Sequence, residues 1–345
     1  MTFAELLQSP MVPTLAAAGG AELWLSNLLS PPILFFVVGL VAVAVRSDLA
    51  LPEQFKKALS LYLLFAIGFK GGAMLREGGL TGEGLAALGI AALLSAVTPL
   101  WLFPMLKRRL GADTAGGVAA TYGSVSAVTF MAGVAMLRDH AVEFGGHMVA
   151  AMALMEFPAL IVGVMLARIS ASGPQEGPGG SRPGLGAALW AAATSGPIVM
   201  LVGSMLVGAL TTDEGRRITA PMWSELFVGL LCFYLLDLGL VAGRGVRDVI
   251  HAGPTVVLTA LCFPPVNAAI AMALCASAGL DRGDTFLMMV MAASASYIAA
   301  PAALRIALPE ARAGVYVPMA LTLTFPFNVI VGLPAYWVAA TRFAG

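Results

Sequence analysis

Three runs of this chain, 84–106, 114–137 and 313–341, contain no charged residue. Each is long enough to cross the hydrocarbon of a bilayer, which takes about 20 mostly apolar residues in a helix. In lipid every backbone N–H and C=O must find its partner within the segment or in protein beside it, so such a run folds as a helix. The rest of the chain is of the same kind. Of its 345 residues, 59% are hydrophobic and 11% charged, where a soluble domain carries roughly 25% charged residues. The formal net charge is zero, so no overall field argues for nucleic acid or an acidic partner.

Hydropathy predicts an all-α polytopic membrane protein of about ten helices. The first five fall near 30–46, 55–75, 84–104, 112–137 and 146–168, the second five near 187–209, 224–243, 253–279, 284–306 and 313–340. Lys70, Glu156 and Asp237 interrupt the second, fifth and seventh. Residues 1–28 read as an N-terminal segment. They contain Glu5 and Glu22 but no Lys or Arg, whereas a cleavable secretory signal opens with basic residues. A short interfacial helix is expected there instead. Residues 170–186, SASGPQEGPGGSRPGLG, read as a flexible cytoplasmic linker between two halves, 29–169 and 187–341. Placing the N-terminus outside puts 12 of the 19 Lys and Arg in inner loops and 7 in outer ones. Basic residues favour the cytoplasmic side, so both termini are expected on the periplasmic face of a bacterial inner membrane.

The halves resemble each other at an offset of about 170 residues. LFAIGFKGG at 64–72 parallels LLDLGLVAG at 235–243, GSVSAVTF at 123–130 parallels ASASYIAA at 293–300, and EFPALIVG at 156–163 parallels TFPFNVIVG at 324–332. Five helices per half would insert the second copy upside down. Inverted repeats suit secondary transport, because two near-equivalent halves of opposite orientation can adopt inward-open and outward-open states of similar energy.

The fourth and ninth helices are expected to be broken. Gly123, Ser124, Val125 and Ser126 sit mid-span in an uncharged run, and Ser294, Ala295 and Ser296 hold the matching place ahead of Pro301. A break presents a half-helix N-terminus, whose N–H groups and positive dipole end attract a small anion. Small residues at these places would also allow close helix packing. Glu156, Thr129, Ser126, Ser296, Asn328 and Asp237 offer oxygen ligands for sodium, a hard cation. Asp237 also suits a structural polar contact, and Lys70 a side chain reaching the outer interface. Cys232, Cys262 and Cys275 lack metal-ligand spacing and read as small core residues. His140, His147 and His251 read as interfacial.

The succession of LALPEQFKKALSLYLLFAIGFKGG at 49–72, GSVSAVTF at 123–130, MEFPALIVG at 155–163 and AASASYIAAPAALRIALP at 292–309 resembles the sodium-dependent bicarbonate transporter family of cyanobacterial type. The resemblance covers roughly 28–340. It implies two inverted repeats arranged as core and gate domains that move as an elevator, a homotrimer, and cotransport of sodium with bicarbonate. It also implies inhibition by a small PII-like regulator from the cytoplasm. By that resemblance Gly123, Ser124, Val125 and Ser126 would face bicarbonate with Ser294, Ala295 and Ser296 opposite, and Glu156 would lie near sodium. The chain departs from the family pattern at Tyr297, where an acidic residue is usual, and at Ala299, where a serine is.

The expected function is therefore a sodium-coupled symporter for bicarbonate or a similar small anion, with no organic cofactor and no enzymatic activity. A cation/proton antiporter using Glu156 or Asp237 is the alternative. A non-transporting anion sensor and an intramembrane hydrolase are further readings. The hydrolase lacks a mid-span histidine to serve the serines as base.

Overall fold

The computed structural model describes residues 29–79, 81–170, 190, 194, 196–251 and 253–343. The expected interfacial helix in 1–28 and the linker beyond Ser170 lie outside the described residues. Those described form helices and no strand. Helix α1 covers Pro31–Ala44, α2 Glu53–Gly78, α3 Gly82–Leu110, α4 Ala112–Gly123, α5 Ala127–Asp139 and α6 His147–Ser170. In the second half α7 covers Gly196–Leu210 and α8 Asp213–Ala220. A π-helical turn, Pro221–Glu225, leads from α8 into α9 at Leu226–His251. Then follow α10 at Pro254–Ala278, α11 at Arg282–Ala292 and α12 at Ala299–Ala307. The last rod is α13 at Ala313–Pro318, α14 at Phe325–Phe327 and α15 at Leu333–Phe343, with π-helical stretches over Met319–Thr324 and Asn328–Gly332.

Seven stretches among the described residues are long and apolar enough to cross a membrane: Glu53–Glu77, Gly82–Leu110, Ala112–Asp139, His147–Ser170, Asp213–Gly245, Pro254–Ala278 and Ala313–Arg342. Two shorter apolar helices, Pro31–Ala44 and Ile198–Leu210, accompany them. Local chemistry sets the ends. Thr81 accepts from Gly84 N–H at 3.1 Å to start α3, and Lys107, Arg108 and Arg109 close it, where cations meet the negative end of the helix dipole. Gly111 joins α3 to α4 at φ 80°, a left-handed conformation that favours glycine.

Helices α1 and α2 pack crosswise on α9 and α7, α1 on α9 and α2 on α7. Both crossings are made at glycine. A Cβ added to Gly39 would stand 2.9 Å from Gly239 Cα, and one added to Gly208 would collide with the backbone of Phe69, next to Gly68. Elsewhere α3, α4 and α6 pack on one another, and α10 packs on α11 and α3. Pro158 lies inside α6 and removes a donor from its ladder. Ser95 of α3 repairs the neighbouring turn by accepting from Ala159 N–H at 3.0 Å and donating to Met155 C=O at 2.5 Å.

Two expectations need correction. Cys262 is exposed, whereas Cys232 and Cys275 are buried, so Cys262 is not a core residue and occupies an outward face of α10. His147 is buried against Asp284, with Nε2 2.6 Å from Oδ2, rather than interfacial. Its partner from α11 lets a polar ring enter the packed interior.

Candidate functional site

The helical chain is interrupted at the two places expected from the sequence, after Gly123 and after Ala292. After α4 the chain passes through Ser124 (φ −82°, ψ −178°) and Ser126 (φ −95°, ψ 109°), both extended, before α5 begins. Residues 293–298 separate α11 from α12. The two breaks touch. Ser126 N–H donates to Ser294 Oγ at 2.8 Å, and Ser296 N–H donates to Thr121 C=O at 2.9 Å. The Ser294 hydroxyl in turn donates to Met291 C=O at 2.8 Å. Peptide groups released by the interrupted helices are thus satisfied by the opposite half of the chain, which makes a break tolerable inside a membrane.

Each break also caps the helix that follows it. Ser126 Oγ accepts from Thr129 N–H at 3.2 Å, and Ser296 Oγ accepts from Ala300 N–H at 3.1 Å. The first N–H groups of a helix have no intrahelical partner. Ala127 and Val128 at the start of α5, and Ala299 at the start of α12, line a cavity beside the crossing. That cavity offers about 40 Å³ to the centre of a water-sized sphere, where a single water takes about 10–15 Å³. A few heavy atoms fit.

Val125, Ser126, Ser296 and Glu156 line the same cavity, together with Tyr297. The far wall comes from α2, through Ser60 and Leu64, and from α7, through Ile198 and Leu201. Glu156 is the single carboxylate among the described lining residues, which include no Lys, Arg or His. Its Oε2 accepts from the Ser124 hydroxyl at 2.5 Å. A carboxylate in such a setting is costly unless a cation joins it. The oxygen donors gathered here suit a hard cation such as sodium.

The other expected site residues lie behind this surface. Gly123, Ser124, Ser294 and Ala295 are buried and form the back of the crossing. Thr129 is buried in the first turn of α5. Asn328 donates to Ala293 C=O at 2.8 Å and accepts from Tyr336 O–H at 3.0 Å, bracing the second break. Asp237 lies elsewhere: its Oδ1 is 3.4 Å from Lys56 Nζ, in an ion pair between α9 and α2. Sequence reasoning missed Ser60, Thr121 and Tyr122, whose buried O–H lies 2.6 Å from Oγ1 of Thr324, a residue the sequence offered as a hydroxyl donor for sodium. Tyr297 places a buried hydroxyl beside Ser126 without a formed hydrogen bond to it.

A family model for the Na+-dependent bicarbonate transporter superfamily matches residues 31–341. The chain belongs to that superfamily. The match covers both halves of this superfamily member and every residue of the crossing. No curated protein matches the chain. Superfamily membership accords with the apolar helices and with a transport role driven by sodium.

Proposed function

We propose that the protein is a sodium-coupled symporter that imports bicarbonate or a similarly small anion by elevator-type alternating access. The observation that carries this reading is the mutual hydrogen bonding of the two breaks, Ser126 to Ser294 and Ser296 to Thr121, beside a cavity containing one carboxylate. The anion would rest against the first N–H groups of α5 and α12, where helix ends favour negative charge. Sodium would sit on the Glu156 side, offset the carboxylate and make anion and cation binding mutually favourable.

Ten spans in two inverted repeats of five fit the crosswise pairing of α1 with α9 and α2 with α7. Helices α1, α2, α7 and α9 would act as the gate domain, and the helices around the crossing as the core that carries the solute. The cavity lies on the boundary between these two groups, where an elevator must keep its cargo.

Uptake of labelled bicarbonate into vesicles holding purified protein tests the proposal. An inward sodium gradient should drive accumulation, and replacing sodium with choline should abolish it. Anion uptake that ignores sodium, or no anion uptake at all, would end the reading.

A further inference from the structure

A second hollow continues the groove in which the solute cavity lies. The cavity at the crossing takes Ser60 and Leu64 from α2, and Val128 and Met131 from α5. The second, of about 20 Å³ on the same measure, takes Ala66, Ile67 and Lys70 from α2, and Val134, Ala135 and Arg138 from α5. Ser60, Leu64, Ile67 and Lys70 on α2, and Val128, Met131, Val134 and Arg138 on α5, follow one another at spacings of three and four, which keeps them on one face. The two helices pack against each other. Seven residues separate Met131 from Arg138, a rise of about 10 Å. Ile67 and Val134, both buried, occupy the intervening turn.

The outer hollow is cationic. Lys70 and Arg138 are its charged lining residues among those described, beside Trp223 and Phe227. Both are exposed, and the Arg138 charge acts on Lys70. The Lys70 ammonium stands 5.7 Å from the centre of the Phe144 ring, so the aromatic face helps hold it in place. Asp139, next in sequence to Arg138, lines a separate hollow beside Ser30 and Ile33, and the Arg138 charge acts on it. Glu143 acts on Lys70 from outside the lining.

We propose that Lys70 and Arg138 form an anion-collecting mouth that feeds the solute cavity along the α2–α5 groove. Its ligand is the small transported anion itself, held loosely before it passes Ile67 and Val134. The proposal rests on the transport reading above. At the repeat offset of about 170, Lys70 corresponds to Val241 and Arg138 to Leu308, so neither cation is repeated at its matching position. Anion capture is therefore biased toward one face of the membrane, the one that carries Lys70 and Arg138.

The test is the apparent KM for bicarbonate of Lys70→Gln, Arg138→Gln and the double variant, measured in neutral-lipid vesicles at fixed sodium and varied ionic strength. A cleft lined by one sign of charge raises local counter-ion concentration by about tenfold or more. The double variant should therefore raise KM about tenfold at low ionic strength when the mouth faces the supplied anion, with maximal rate and sodium KM unchanged. The difference should close near 1 M salt, where the screening length falls to about 3 Å. Each single variant should show part of the effect, which keeps the test alive if the double variant does not fold. Lys70→Arg and Arg138→Lys should behave like the parent.

An unchanged KM, a rise that persists undiminished at high salt, or a rise seen only with anionic lipid would overturn the mouth while leaving transport intact. An unmodified protein that carries no anion would overturn the transport reading and the mouth with it.

Discussion

Asn267 donates from Nδ2 to the Thr98 hydroxyl at 3.2 Å, across 169 residues of chain. Asn267 also donates to Ala292 C=O at 3.0 Å, the last residue before the second break. One amide therefore joins α3, α10 and the end of α11. Replacing Thr98 by Val or Asn267 by Leu should cost about 1–3 kcal/mol each, because a buried partner is left unpaired. Thermal unfolding in detergent measures this, and the double variant should cost less than the two single losses added together.

The hydroxyl of Ser124 holds Glu156 in place. A hydrogen bond to a charged group is worth about 1.5–3 kcal/mol, so Ser124→Ala should raise the sodium KM about tenfold with little change in maximal rate. Glu156→Gln should remove sodium stimulation of uptake. Sodium titrations of bicarbonate uptake would show both, and full sodium dependence in Glu156→Gln would exclude the carboxylate as a ligand.

Ser294 accepts the Ser126 N–H at 2.8 Å, from across 168 residues of chain. Ser294→Ala strands that N–H in a dry interior, at a cost of about 1–3 kcal/mol. Both melting temperature and uptake should fall. Ser294→Thr keeps an acceptor and should retain most of each.

The crossing of α1 and α9 tolerates no side chain. A Cβ on Gly239 would come within 3.0 Å of Gly39 Cα. Gly239→Leu should destabilise the protein by about 1–3 kcal/mol through overpacking. Gly229, on the same helix with nothing within 4 Å of an added Cβ, should accept Leu with little effect on thermal unfolding.

Asp281 lies between α10 and α11, where it caps α11 by accepting from Asp284 N–H at 2.9 Å. Burial pushes its carboxyl above the usual range, and the Asp284 and Glu83 carboxylates add to the shift. The folded state therefore holds this proton more tightly than the unfolded chain. The associated stability is fully present below the ordinary carboxylate pKa and is lost as pH rises through the folded value. Asp281→Asn keeps the cap and should flatten that slope. Melting temperature followed from acid to neutral pH would reveal it.

Much of this architecture was legible in the residues. The uncharged runs located the helices because lipid tolerates little else. Gly123 to Ser126 and Ser294 to Ser296 marked the breaks because small polar residues in such runs have few other uses. Partners were not legible. Ser296 meets Thr121, Tyr122 meets Thr324, and His147 meets Asp284, pairs separated by 137 to 202 residues. Local pattern says nothing about such contacts. Asp237 looked equally suited to an ion site, and only the approach of Lys56 from α2 identifies its partner. The π-helical stretches on either side of Pro326 also escaped notice, because proline announces a disturbed ladder without saying how the turn widens.

The serines at the centre are stitched to one another, while Leu64, Ile198 and Leu201 face them from α2 and α7. A greasy seam shears more easily than a sewn one. Under the proposed elevator motion, the sewn piece should travel whole and the slip plane should run past those three side chains.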